Sequence, residues 1–135
     1  GTVWLFTTYS VARRWLPSYP DELLAAALQI AVVAVTEECE RIARGLTARE
    51  HLLRLWFQQK VNADPALDEV QIDKLARFVF QVKDYFIAAG RTLSTLANVD
   101  CRRSIVKASY SPKDLEERQL YVGVVEMVFH ETTRQ

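Results

Sequence analysis

The chain has 135 residues, half of them apolar and a quarter charged, with 17 Lys and Arg balancing 17 Asp and Glu. That length supports one domain with its own core, and the charge balance argues against a nucleic-acid binder, which needs an excess of cations to neutralise phosphates. The apolar content excludes disorder, and no stretch reaches the roughly 18 uninterrupted apolar residues of a membrane-spanning helix.

Residues 1–16 open with Trp4, Leu5, Phe6 and Tyr9, followed by Arg13, Arg14 and Trp15: an apolar, aromatic arm and then a basic pair. Two readings of this arm are open. It can lie across the body of the protein with Trp4 and Phe6 in the core, or it can anchor at a membrane–water boundary, where Trp, Tyr and Arg settle. Pro17 and Pro20 stop any helix there, and Asp21 and Glu22 place acid in the first turn of the next. From Leu23 to Thr36 the only polar residues are Gln29 and Thr36, which predicts a central helix packed on all sides. Glu37, Glu38, Glu40, Arg41 and Arg44 return it to water, and Gly45 supplies its stop.

Thr47 and Glu50 have capping-box spacing and open a predicted helix carrying Leu52, Leu53, Leu55, Trp56 and Phe57. Asp64 and Pro65 cap a third, whose apolar positions Leu67, Val70, Leu75, Phe78, Val79, Val82, Phe86 and Ala89 follow the 3.6-residue period and end at Gly90. A shorter amphipathic piece covers about 94–108. Ser111 and Pro112 cap a last segment running to about 131. That segment, rich in β-branched residues, has strand propensity, but its cap and the absence of any predicted strand partner favour helix. The expectation is an all-α, single-domain bundle of about five helices over 21–132, with an extended aromatic N-terminal arm over 1–20.

No pattern compels catalysis. Arg44 and His51 have the loose spacing of helical ribonucleases, but Gly45 and the Thr47 cap lie between them. Glu37, Glu38, Glu40 and Glu50 could suggest a divalent-metal site, yet Glu37 and Glu40 have Arg41 and Arg44 at pairing distance on one helix face. There is no Gly-rich phosphate loop and no nucleophile elbow. Neither an enzyme, a cofactor nor a metal is expected. Cys39 and Cys101 are the only cysteines; one bridge is open to them, and two buried thiols are the default. Gly1 is not followed by a basic segment and a cleavage pattern, so the chain is either intracellular or a mature or trimmed form.

Some of these features resemble the abalone sperm acrosomal proteins, egg-envelope lysin and its fusogenic eighteen-kilodalton paralogue. Trp15, Pro20 and Leu23 have the family's spacing ahead of a first long helix, and the run from Ala88 to Thr92, Ala-Ala-Gly-Arg-Thr, resembles the end of a second. Arg102 and Arg103 form an arginine pair placed as in lysin. Lysin is strongly basic and its second helix is uninterrupted, whereas this chain is neutral and is broken at Asn62 to Pro65. The resemblance is therefore closer to the fusogenic branch. It implies a secreted, acrosomal, non-enzymatic protein that binds and perturbs or fuses membranes at fertilisation. Trp4, Leu5, Phe6, Tyr9 and Trp15 would be its membrane contacts, and Arg13, Arg14, Arg102 and Arg103 its basic contacts. Its partner would be a lipid surface or an egg-surface component. A lysin-like egg-envelope-dissolving protein and an unrelated intracellular helical adaptor are the alternatives. A homodimer that covers excess apolar surface is also open.

Overall fold

Strands, not helices, carry most of the chain. The computed structural model describes residues 3–61, 68–88, 92–93 and 96–134. In chain order the elements are β1 (Tyr9–Arg13), α1 (Asp21–Ala26), β2 (Leu28–Ala43), β3 (Leu46–Lys60), α2 (Glu69–Ile87), β4 (Thr92–Leu93), β5 (Leu96–Ala108), α3 (Pro112–Arg118) and β6 (Leu120–Arg134). The strands form one six-stranded sheet in the order β1-β2-β3-β6-β5-β4. β1 pairs parallel with β2, and every other pairing is antiparallel. The expected all-α bundle is therefore overturned.

The reasons are local. The run from Leu23 to Thr36 is apolar on all sides, a pattern shared by a buried helix and a strand covered on both faces. Its first residues make the short α1, and from Leu28 the β-branched Ile30, Val32, Val33 and Val35 continue as β2. Gly45 is not a helix stop. With Arg44 it makes the two-residue turn between Ala43 and Leu46, and its φ of 74° is the left-handed conformation glycine adopts without a Cβ clash. Thr47 to Glu50 lies in β3, not at a helix cap. The amphipathic piece near 94–108 is β5.

The last segment also changes class. The Ser111 cap forms as expected, its Oγ accepting from the Asp114 backbone N–H at 3.4 Å, but the helix stops after seven residues. Gln119 takes the left-handed conformation, and the chain continues as β6, between β3 and β5. Every residue from Leu120 to Met127 is buried. A central strand with both faces covered reads as an unbroken apolar run. The α2 helix lies where the 3.6-residue period predicts one, while its proposed cap at Asp64 and Pro65 falls outside the described residues.

Side chains divide between the two faces of the sheet. On the inner face, α2 lays Leu75, Phe78, Val79 and Val82 against Ile30, Leu55, Phe57, Tyr121, Val125, Met127 and Phe129. On the outer face, Leu24 of α1 packs with Leu120, Val122 and Val124, joined by Tyr19 and Trp56. Further along the outer face, Glu126 is buried with Arg54 Nε at 3.0 Å and Lys107 Nζ at 4.0 Å. Two apolar clusters on opposite faces explain why the strand sequences show so little alternation.

Candidate functional site

The inner face is not completely filled. Between the sheet, α2 and the N-terminal arm lies a cavity of about 630 Å³, within the size range of small-molecule pockets. Its floor is built from alternate residues of adjacent strands, because only every second side chain of a strand faces one way. β2 contributes Ile30 and Val32, β3 contributes His51, Leu53, Leu55 and Phe57, and β6 contributes Met127, Phe129 and Glu131, with Val99 of β5 beside them. The roof is Phe78, Val82, Tyr85 and Phe86 of α2, and one wall is Trp4, Tyr9 and Val11.

The lining is aromatic and apolar except at one end. From Phe57 to His51 the β3 row runs six residue steps, about 20 Å of strand, and ionisable groups gather at the His51 end. His51 Nε2 and Glu131 Oε1 are 3.5 Å apart, both side chains about one-third exposed. His51 is paired in register with Glu37 of β2 on one side and Phe129 of β6 on the other. Glu37 is engaged by Arg49, Nη1 to Oε1 at 3.5 Å. The site is thus a greasy slot closed by a small, mixed-charge end.

Gly123 and Tyr121 set how closely the roof approaches. A Cβ on Gly123 would sit 2.8 Å from Tyr121 Oη and 2.9 Å from Val79 Cγ2, so the bare backbone makes room for both. Tyr121 is fully buried and its hydroxyl donates to the Ser109 carbonyl; burial pushes its phenol well above the ordinary range. Burial likewise raises the Cys101 thiol, against a smaller lowering effect of the Arg103 backbone; in the protonated form its S–H donates to the Arg103 carbonyl at 3.3 Å. Cys39 is exposed, and neither cysteine is bonded to the other.

The backbone of residues 3–5 is hydrogen-bonded to α2 through one side chain. Gln81 of α2 donates from Nε2 to the Val3 carbonyl and accepts at Oε1 from the Leu5 N–H, at 3.0 Å for the latter. Trp4 stacks near Tyr85 and Phe78, with centroids 5.0 and 6.1 Å away, and Phe6 meets Phe78 at 5.2 Å. Of the expected membrane contacts, Trp4, Leu5 and Phe6 are accordingly half-buried against the core. Tyr9 lies on the edge strand β1 and lines the cavity, 41 % exposed. Trp15 is 82 % exposed, with Arg13 over its ring at 5.2 Å, while Arg14 lies over Tyr19 at 4.3 Å.

The structure does not bring the expected basic contacts together. Arg102 and Arg103 are on β5, near the opposite edge of the sheet from Arg13 and Arg14. Arg102 pairs with Asp100 at 2.8 Å. Among the described residues, no three His, Cys, Asp or Glu are grouped to hold a metal, and no helix is long and apolar enough to cross a membrane. His51 and Glu131 were not singled out together by sequence because they are 80 positions apart. The usable signal was His-x-Leu-x-Leu-x-Phe at 51–57 and Met-x-Phe-x-Glu at 127–131, each with a period of two and a polar residue at one end. No protein-family model matches this chain, and no curated protein matches it.

Proposed function

We propose that this chain is a non-enzymatic binding protein for a small, largely apolar molecule held between the sheet and α2. The observation that carries this reading is the 630 Å³ cavity itself, lined mostly by aromatic and aliphatic side chains, with its ionisable pair, His51 and Glu131, at one end. A packed core leaves few voids larger than a water, and a slot of this size with a few convergent polar groups is the form binding pockets take. The test is a titration with diphenylhexatriene, a dye with no polar atom whose emission rises in apolar surroundings. Saturable binding of one dye per chain is expected. Leu53→Trp, which fills the slot from its floor, should weaken binding at least tenfold with the circular dichroism unchanged. Absence of saturable binding, or equal binding by the filled variant, defeats the reading.

A second reading, contact with and perturbation of a membrane surface, is supported by Trp15 and Leu16, 82 % and 73 % exposed beside Arg13 and Arg14. Burying an indole of about 200 Å² at about 25 cal/mol per Å² gives up to ~5 kcal/mol, against about 1 kcal/mol for each arginine near an anionic surface. Apolar contact is the larger contribution, so a neutral chain can dock this way. The fold implied by the acrosomal-protein resemblance is not the fold observed, and this reading rests on the exposed residues alone. Co-sedimentation with phosphatidylserine vesicles that is lost in Trp15→Ala supports it; wild-type protein remaining in the supernatant sinks it.

A further inference from the structure

We infer that the cavity selects a ring compound carrying a hydrogen-bond donor, a hydroxyl or an amine, and rejects the same ring carrying a carboxylate. The inference rests on the reading of the cavity as a ligand site and concerns which head group its polar end accepts.

The charge at that end decides the sign. The charged groups there are the lining residues Glu131 and His51 and, beside them in strand register, the carboxylate of Glu37 and the guanidinium of Arg49. Their sum is zero with the imidazole protonated and −1 with it neutral, so neither state offers net positive charge to an anion. Arg49, the permanent cation, is already engaged by Glu37. Glu131 Oε1 is a hydrogen-bond acceptor, and a ligand carboxylate beside it would be a like charge in a partly desolvated slot. An O–H or N–H donor meets the opposite situation.

Geometry agrees with charge. The His51 Nε2 to Glu131 Oε1 distance of 3.5 Å is at the outer limit of a hydrogen bond. A ligand donor therefore takes Glu131 at little cost to the existing pair, and a ligand hydroxyl can also use the imidazole as its second partner. The body of the ligand is set by the walls. Trp4, Tyr85, Phe86 and Phe129 present ring faces and edges, with Phe86 and Phe129 edge-on at 6.1 Å. Flat aromatic or polycyclic frames stack on such surfaces, gaining beyond their buried area.

Isothermal titration with 2-naphthol and with 2-naphthoate, one ring system and two heads, tests the inference. The naphthol should bind at least tenfold more tightly. Glu131→Gln, which removes the charge and keeps the shape, should narrow that ratio to threefold or less, chiefly by improving naphthoate. Naphthoate binding as tightly as naphthol overturns the inference, as does an unchanged ratio in a folded Glu131→Gln protein. If that variant does not fold, the wild-type ratio decides by itself. Binding of diphenylhexatriene without binding of naphthol leaves the cavity as a ligand site and refutes the donor-head inference. Binding of neither refutes both.

Discussion

Replacing Gly123 with alanine puts a methyl group where the structure has no room for one. The added Cβ would lie 2.8 Å from Tyr121 Oη and 2.9 Å from Val79 Cγ2, and both neighbours are fully buried. Val79 is fixed on α2 and Tyr121 is held by its bond to the Ser109 carbonyl, so neither can step aside freely. Forcing a methylene-sized group into a packed core costs about 1–3 kcal/mol, and displacing the Tyr121 hydroxyl from its acceptor adds about 1 kcal/mol. The alanine recovers about 0.5–1 kcal/mol through the lower entropy of its unfolded chain. The net expectation is about 2 kcal/mol of destabilisation, out of the 5–15 kcal/mol typical of a domain. Urea unfolding followed by circular dichroism measures it, as a fall in midpoint at constant slope. Val79→Ala in the same background should restore part of the loss, with a coupling of about 1 kcal/mol in the double-mutant cycle. A loss under 0.5 kcal/mol, or strict additivity with Val79→Ala, would falsify the claim that this glycine is required by helix approach.

Three further outcomes follow from the same contacts. The raised phenol of Tyr121 keeps its proton in the folded chain after the unfolded chain, at its ordinary value of 10.0, has lost it; the unfolded state then binds fewer protons, so stability is full below pH 10 and falls above it. Stability measured from pH 9 to 11 should therefore drop by up to about 1.4 kcal/mol per pH unit from this group, and a Tyr121→Phe protein should show a shallower fall. Gln81→Ala removes both bonds that hold residues 3–5 to α2, worth about 1 kcal/mol each; faster amide exchange at Leu5 with little change in α2 is expected, and unaltered exchange would mean the arm is held by its aromatic contacts alone. Arg54→Ala leaves the buried Glu126 carboxylate, among the described residues, with Lys107 at 4.0 Å as its remaining cation; with Arg54 itself 38 % exposed and partly screened, a loss of about 1–2 kcal/mol is expected, and Glu126→Gln should relieve most of it in the double variant.

What the amino-acid order reveals here depends on how many sides of each element are covered. α2 has one covered side, so Leu75, Phe78, Val79 and Val82 recur at the helical period and the helix is legible. The starts of α1 and α3 are legible too, because Pro20 with Asp21, and Ser111 with Pro112, act within one turn of backbone. Their ends are not, since each helix is cut short by strand pairing with residues distant in sequence. β3 shows the difficulty best. Leu53, Leu55 and Phe57 face α2 while Trp56 packs with Leu120, Val122 and Val124 on the other side, so the alternation that marks a half-buried strand is filled in. Leu52, Leu53, Leu55, Trp56 and Phe57 then pass equally well for a helix stripe. Once β2, β3 and β5 are read as helices, β6 has nothing to pair with, and the β-branched run from Val122 to Val128 is forced into a helix as well. The error is one of mutual consistency: strands stabilise each other through non-local ladders, and misreading one removes the ground for the rest.

The candidate site was hidden for the same reason, and its charge shows what composition could and could not say. Equal numbers of acids and bases exclude a protein that works by a bulk positive field. They do not predict the sign of a local patch, because that is fixed by which strands lie side by side. Glu37, Arg49, His51 and Glu131 come from three strands, and only the β2–β3 and β3–β6 registers set them at one end of the slot. Shifting β6 against β3 by a single residue would turn Glu131 to the outer face and bring His130 to the inner one. The slot would then end in two imidazoles, and the β6 carboxylate that repels an anionic head would be gone. The charge at the end of this slot is therefore a property of strand register, carried by residues up to 94 positions apart in the chain.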